Sequence, residues 1–254
     1  MPATRSSAEA RSLSPEVPED PGRPAASEAI GDEVDSSAAG LPRRVTLAGE
    51  RVTLAPLDLS YAEALYRSTH GAGKEGLWRY LPDGPFAGLA AFEGELERRA
   101  RSEDPLYFGI LDNASGAAAG WAALLRIEPG HRSIEVGSIL FTPALQRTAG
   151  ATEAMYRMAR YVFEDLGYRR YEWKCDALNQ PSRRAALRLG FRFEGIFRQH
   201  RIVKGRNRDT AWFSMLDSEW PARKESFERW LAPGNFNQAG EQKLSLSRLN
   251  QAAG

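Results

Sequence analysis

The chain has 254 residues, of which 42% are hydrophobic and 26% charged, and 34 basic residues against 33 acidic ones leave a formal net charge of +1. This composition is typical of a globular protein and excludes a general attraction to polyanions. No apolar run approaches the roughly 18 residues of a membrane span, no secretory signal is expected, and the single cysteine, Cys175, excludes an internal disulfide, so a cytoplasmic protein without membrane contact is predicted.

Both ends of the chain differ in composition from its middle. Residues 1–43 contain no aromatic residue, and eight acids stand there against four arginines. Such a segment buries too little apolar surface to offset its backbone entropy, so we predict a disordered extension, with a regulatory or docking tail as the alternative. Residues 234–254 are rich in Gln, Asn, Ser and Gly and are predicted to be flexible. One domain is therefore expected over 44–233.

The first half of this domain alternates strand and helix patterns. Alternating or continuous apolar runs predict strands, and apolar residues at three- and four-residue intervals predict helices. The predicted strands are 51–57, 106–112, 117–127 and 134–141, and the predicted helices are 59–68 and 89–101. The turn sequence Asn113-Ala-Ser-Gly predicts an antiparallel hairpin between the second and third strands.

The second half adds a longer helix and a closing hairpin. Helices are predicted at 151–166 and 180–189, closed by Gly167 and Gly190, and strands at 168–176, 191–203 and 208–216. This order predicts an α/β fold with one mixed sheet of about seven strands flanked by helices. The strands 134–141 and 169–175, joined through a helix, are expected to be parallel.

A loop of small and polar residues joins strand 134–141 to the long helix. Backbone amides at a helix N terminus lack intrahelical acceptors, and the helix dipole adds positive potential. Ala149, Gly150 and Ala151 allow a ligand to approach the backbone there, while Gln146, Arg147 and Thr148 add donors. The loop is a candidate phosphate site, although glycine and alanine also occur in such turns for packing reasons.

Two motifs carry a resemblance to a known family. The run Gln146-Arg147-Thr148-Ala149-Gly150-Ala151 resembles the acetyl-CoA pyrophosphate loop, Q/R-x-x-G-x-G/A, of the GNAT N-acetyltransferase superfamily. Asn179 and Ser182, followed by Leu189-Gly190-Phe191, resemble its N-x-x-S…L-G-F segment. The order of elements matches from about residue 50 to 220, and the RimJ/RimL branch of ribosomal-protein N-terminal acetyltransferases is the most similar.

The resemblance implies acetyl-CoA as co-substrate, held where the two parallel strands splay apart. The cofactor-binding residues that it implies are Ile139, Leu140, Phe141, Gln146, Arg147, Thr148, Ala149, Gly150, Ala151, Thr152, Asn179 and Ser182. Asn179 is also the expected cap of its helix. Alanine replaces the motif glycine at Ala149, which would strain the backbone if a positive φ were required there.

The same resemblance implies direct attack of an amine on the thioester. The tyrosine that many members place seven residues after the asparagine is Ala186 here, so Ser182 is the candidate proton donor to the sulfur, with a backbone-bonded serine as the alternative. Glu135 is the candidate general base and Asp176 a weaker one, and a surface ion pair is the alternative for Glu135.

The segment 77–86 lies where this superfamily builds its acceptor site. Trp78, Tyr80 and Phe86 are therefore candidate substrate walls, with packing beneath a loop as the alternative. The acceptor is predicted to be a primary amine, either a protein N terminus, such as that of a ribosomal protein, or a small molecule. A non-catalytic module that binds acyl-CoA, RNA or a protein is the competing hypothesis, and the chain is expected to be a monomer or homodimer.

The distribution of charged residues and of possible metal ligands gives weaker indications of function than the two motifs. Nine basic residues against one acid lie between Arg183 and Arg208, and these could meet the CoA 3′-phosphate or an RNA-rich target. A solvated hairpin face is favoured over nucleic-acid binding, since no RNA-binding signature accompanies the charge. The three histidines and Cys175 are far apart in sequence, so no metal site is predicted, and Cys175 is expected to be a core residue.

Overall fold

The computed structural model describes residues 31–252. The chain divides into a unit of residues 1–35 and a unit of residues 36–254. Residues 31–35, the described part of the first unit, contain no helix or strand. Residues 1–30 of the predicted extension lie outside the described residues, as do residues 253 and 254.

The second unit contains eight strands and six α-helices within its described residues. The strands are β1 Leu47–Ala48, β2 Val52–Pro56, β3 Leu106–Asp112, β4 Ala118–Glu128, β5 Ser133–Phe141, β6 Arg170–Asp176, β7 Arg192–Val203 and β8 Arg206–Leu216. The helices are α1 Ala62–Thr69, α2 Leu89–Arg101, α3 Ala149–Arg160, α4 Gln180–Arg188, α5 Trp220–Leu231 and α6 Leu246–Ala252. A π-helical turn, Tyr161–Asp165, extends α3.

All eight strands form one sheet in the order β1-β2-β3-β4-β5-β6-β8-β7. Neighbours are antiparallel except β5 and β6, which are parallel, as the strand–helix–strand connection predicts. The predicted mixed α/β fold is confirmed, with eight strands instead of about seven. The additional strand, β1, is only two residues long, too short for an alternating pattern to reveal it.

A hydrophobic core lies on each face of the sheet. The larger core joins the sheet to α3, α5 and α6 and includes Tyr156, Trp173 and Phe213. The smaller core lies beneath α1 and α2 and contains Trp78 and Trp121, both fully buried. Because side chains alternate along β5, Ile134 and Val136 enter the larger core and Glu135 faces the other side of the sheet.

The domain begins earlier than the sequence predicts. The amide of Gly40 donates to Leu166 O (2.8 Å), and the amide of Arg43 donates to Tyr161 Oη (2.9 Å). The described residues 36–43 form no regular element, yet hydrogen bonds anchor several of them to the domain. For this part of the predicted extension the assignment of disorder is corrected, because a backbone carbonyl and a side-chain hydroxyl of distant residues accept hydrogen bonds from its amides.

The C-terminal segment also differs from its prediction. The sequence predicts no helix after residue 216 and a flexible tail from residue 234, whereas α5 and α6 form and contact each other. Leu246 and Leu249 are buried, and Arg223 Nη1 donates to Asn250 O (2.7 Å). The prediction of a flexible tail is corrected for residues 246–252. The polar composition of this segment obscured two leucines that are spaced to lie on one helix face.

This correction can be measured by thermal and denaturant unfolding. Leu246 is fully buried, so Leu246→Ala is expected to lower the free energy of unfolding by about 2–4 kcal/mol through lost burial and the cavity left behind. Leu244→Ala is the matched control, since Leu244 is 38% exposed and its truncation should change stability by less than about 1 kcal/mol. Equal stability of the two variants would show that the segment does not pack against the domain.

Candidate functional site

Strands β5 and β6 separate at their carboxyl ends. Their pairing runs from Ser133↔Arg170 to Val136↔Trp173 and ends there. Beyond it the β4–β5 register jumps from Ala123↔Gly137 to Trp121↔Leu140, which places a bulge at residues 138 and 139. Ser138 has a φ of 50°, and its hydroxyl lies 3.0 Å from Tyr107 Oη. The bulge bends β5 away from β6 and opens the sheet.

A cavity of about 2160 Å³ occupies this opening. It exceeds the size of a drug-sized pocket, so a long ligand and a second reactant can share it. Its walls come from β5, β6, α4 and the N-terminal turn of α3. They include Glu135, Tyr80 and every cofactor-binding residue implied by the motifs except Gly150.

The N terminus of α3 opens into the cavity. Thr148 is its N-cap, and Thr148 Oγ1 accepts a hydrogen bond from the amide of Ala151 (3.1 Å). The amides of the first turn at Ala149 and Gly150 have no intrahelical acceptor, which leaves donors for an anion. Gln146 Nε2 donates to Phe141 O (3.0 Å) and so ties the loop to the end of β5.

Alanine at the motif-glycine position does not strain this loop. Ala149 is the first residue of α3, and the positive φ falls on Arg147 (62°). Gly150 is buried, and a Cβ there would lie 2.9 Å from Val52 Cγ1. Gly150 therefore allows α3 to pack closely against β2, and only its backbone amide in the first turn of α3 remains a candidate ligand contact.

Asn179 and Ser182 begin α4 at the opposite wall. Asn179 is the N-cap, as predicted, and its Oδ1 accepts from the amide of Ser182 (3.1 Å). The Ser182 hydroxyl accepts from Trp173 Nε1 (3.0 Å), and its own hydrogen can be donated, with the Cys175 sulfur as one nearby acceptor. Burial raises the pKa of the neighbouring Cys175 thiol, and the Ser182 hydroxyl acts in the opposite direction. Cys175 is a buried core residue, as expected.

Glu135 is a buried carboxylate that lines the cavity. It forms ion pairs with Arg126 Nη1 (2.5 Å) and Lys174 Nζ (3.0 Å), and Lys174 also binds Glu172 Oε2 (2.6 Å). Burial raises the pKa of Glu135 above its usual value, and the two cations oppose this rise. The sequence predicts either a base or a surface ion pair, and the structure combines a pair with burial at the cleft.

Only one of the three predicted substrate-wall residues lines the cavity. Tyr80 lines the cavity, and its hydroxyl donates to Leu178 O (3.1 Å). Trp78 is fully buried, and its Nε1 donates to Thr69 O (2.9 Å), while Phe86 packs edge-on against Trp78. Trp78 and Phe86 do not line the cavity, so their predicted role is corrected to packing beneath the loop.

The sequence does not identify Trp230 and Phe236 as lining residues, and it gives Arg188 only as part of the basic run 183–208. Arg188 is half-buried beside the first turn of α3, and its Nη1 donates to Thr152 Oγ1 (3.0 Å). Its guanidinium lies 4.7 Å from the centre of the Trp230 ring, and both residues line the cavity with Phe236. The spacing of Ser182, Ala185 and Arg188 on one face of α4 was a detectable signal. No local pattern indicates that α5 returns to this wall.

The run of basic residues at 183–208 does not form one surface. Arg192 pairs with Glu219 (2.6 Å), and Lys204 Nζ donates to the carbonyls of Trp78 and Gly84. Lys204 also lines the cavity, together with Arg201 and Arg208. Within residues 31–252, no helix is long and apolar enough to cross a bilayer, and no cluster of His, Cys, Asp and Glu is arranged to hold a metal ion.

Two parallel strands separate here, and a helix N terminus faces the cleft between them. This is the arrangement that the resemblance to the GNAT superfamily implies. A family model described as an acetyltransferase (GNAT) domain matches residues 51–192. The chain belongs to this GNAT acetyltransferase family.

Known proteins agree with this assignment. The chain is 32% identical over 172 residues to "Uncharacterized N-acetyltransferase YnaD" of Bacillus subtilis (strain 168), covering 67% of this chain and 96% of YnaD. A GCN5-related N-acetyltransferase from Brucella melitensis shares 48% identity at a TM-score of 0.84, over 85% of this chain and 99% of that one. Microcin C7 self immunity acetyltransferase MccE, solved with acetyl-CoA and AMP, shares the fold (TM-score 0.58, 22% identity, 66% and 93% covered).

Proposed function

We propose that the chain transfers an acetyl group from acetyl-CoA to a primary amine by direct attack within a ternary complex. The observation that carries this proposal is the continuity of the cavity, which joins the N terminus of α3 to Ser182 and Glu135. One end offers donors for phosphates, and the other offers a hydroxyl and a carboxylate for proton transfer.

The co-substrate would be held along β5 and α3. Phosphates fit the amides of the first turn of α3, with Arg147 and Thr148 beside them, and residues 139–141 with Asn179 fit the pantetheine arm. Residues of the bulge do not complete the β4–β5 ladder, so a strand amide there is the candidate donor to the developing oxyanion.

Proton transfer would involve two side chains of the cleft. The amine nitrogen bonds to the thioester carbonyl carbon, and the carbon–sulfur bond breaks. Glu135, directly or through water, accepts the amine proton, and the Ser182 hydroxyl donates one to the sulfur, so the products are an N-acetyl amine and the free thiol. Solvent then returns a proton to Ser182 and takes the one held by Glu135, which restores both side chains. An α-amino group, with a pKa of about 7.7–8.0, needs less help from a base than lysine at about 10.4. Protein N termini, as in the RimJ/RimL branch, are therefore acceptors to test first.

Titration calorimetry and turnover together test the proposal. Acetyl-CoA is expected to bind at micromolar concentration and more tightly than adenosine 3′,5′-bisphosphate, which lacks the pantetheine arm. Thiol release should then depend on an added amine. Tight acetyl-CoA binding without turnover across peptide N termini and small amines would favour the non-catalytic module, and absence of binding would overturn the cofactor site itself.

Two variants can distinguish proton donation by Ser182 from the structural effect of its hydrogen bond to Trp173. Ser182→Ala is expected to lower kcat about tenfold, less than the roughly 100-fold or more that is usual for general acid catalysis, because a thiolate is a good leaving group. Trp173→Phe is the matched control, since it removes the indole donor and keeps the hydroxyl. Equal losses in the two variants would assign Ser182 a structural role. Initial rates of thiol release at saturating substrates measure the difference.

A further inference from the structure

The acceptor half of the cavity is rich in unmatched positive charge. The basic residues that line this half are Arg79, Arg126, Lys174, Arg201, Lys204 and Arg208, and the acidic ones are Glu135 and Asp176. Glu135 is already paired with both Arg126 and Lys174. The Lys204 ammonium is bonded to two backbone carbonyls. Arg79, Arg201 and Arg208 form no ion pair within the described residues, so they give this part of the cavity a positive potential that attracts an anion.

Arg208 is the most informative of these cations. It lies on β8 two residues from Thr210, which pairs with Asp176 at the end of β6, and it lines the cavity. Its Nε is buried and has no hydrogen-bond partner, and its guanidinium forms no ion pair with any described residue. Burial lowers the pKa of Arg208, and Asp176 and Glu135 only partly oppose this effect from beyond ion-pair distance. A buried N–H donor without an acceptor costs free energy, so a bound anion that accepts from this Nε would stabilise the site.

A second cation stands directly opposite. Arg201 on β7 is the register partner of Arg208 across the hairpin, and it lines the same cavity. Like charges opposite each other in antiparallel strands repel, and Arg201 adds to the lowering of the Arg208 pKa. Two arginines placed side by side offer the paired donors that carboxylates and phosphates accept.

We infer that the acceptor is a primary amine carrying an acidic group, a carboxylate or a phosphate, close to the amine, and that Arg208 with Arg201 binds this group. The inference rests on the proposed function, because it names the acceptor class for the same site. Two kinds of acceptor carry an acidic group close to a primary amine. One is a free amino acid or phosphorylated amine, and the other is a peptide N terminus with an acidic second residue. Kinetics with matched pairs distinguish these sources.

The experiment compares kcat/KM within pairs of similar amines. The pairs are phosphoethanolamine and ethanolamine, and two short peptides that differ only by Glu or Gln at the second position. The wild-type enzyme is expected to prefer the anionic member at least about tenfold in one pair, and the pair that shows the preference identifies the source. The preference should weaken as salt is raised.

Variants of the hairpin connect this preference to Arg208. Arg208→Gln is expected to reduce the ratio of anionic to neutral kcat/KM by about tenfold, and Arg208→Lys should retain part of it. Arg206→Gln is the control, since Arg206 is exposed on the same strand and does not line the cavity. Turnover of neutral amines without anionic preference, or a ratio that Arg208→Gln leaves unchanged, would overturn the inference alone. Turnover of no amine at all would overturn the proposed function with it.

Discussion

Glu135→Gln is expected to lower kcat about 100-fold at neutral pH, within the range of general-base catalysis. Glutamine keeps the shape of the side chain and loses the ability to take a proton from the attacking amine. Because burial raises the pKa of Glu135, the wild-type rate should fall as the pH drops through that raised value, where the carboxylate becomes protonated. The variant should lose this acidic limb, and rates of thiol release across pH measure both effects.

Glu172→Gln is the matched control for this prediction. Glu172 is the register partner of Glu135, is also buried, and binds the same Lys174, but it does not line the cavity. Each substitution therefore removes a carboxylate from the same charge cluster, and melting temperatures check that both variants fold. We expect kcat of Glu172→Gln to remain within about threefold of wild type. Similar losses in both variants would make Glu135 a structural ion-pair residue.

Arg188→Gln is expected to raise the Kd for acetyl-CoA by about 10- to 100-fold, as loss of a charged hydrogen bond to an anion does. Burial lowers the pKa of Arg188, and among the described residues no carboxylate pairs with it. Its bond to Thr152 in the first turn of α3 places it beside the amides that would hold the pyrophosphate. Calorimetry with acetyl-CoA measures the change.

Two comparisons make the Arg188 prediction specific. Arg183→Gln alters the same helix at a residue that does not line the cavity, so its Kd should stay within about threefold of wild type. The loss in Arg188→Gln should be the same with 3′-dephospho-acetyl-CoA, because the pyrophosphate is common to both ligands. A loss confined to acetyl-CoA would move Arg188 to the 3′-phosphate, and no loss would remove it from the cofactor site.

The order of elements was predictable because its signals are local. The spacing of apolar residues indicated α3, Gly167 (φ of 73°) follows the π-helical turn that extends this helix, and Asn179 caps α4. The phosphate-loop motif was detectable for the same reason, since one strand end and one helix start carry it. Failures followed where the local signal was weak, as in the two residues of β1 and the polar composition around α6.

By itself, therefore, the sequence determined the fold class, the parallel pair and the loop at the start of α3, all of which depend on neighbouring residues. Only the tertiary structure decided which side chains meet: Glu135 with Lys174, Ser182 with Trp173, Arg188 with Trp230, and Arg208 with Arg201. It also buried Trp78 away from the cleft. Strand pairing and helix packing bring together residues up to dozens of positions apart, and the charge and burial that govern their chemistry arise from those contacts, which no local pattern records.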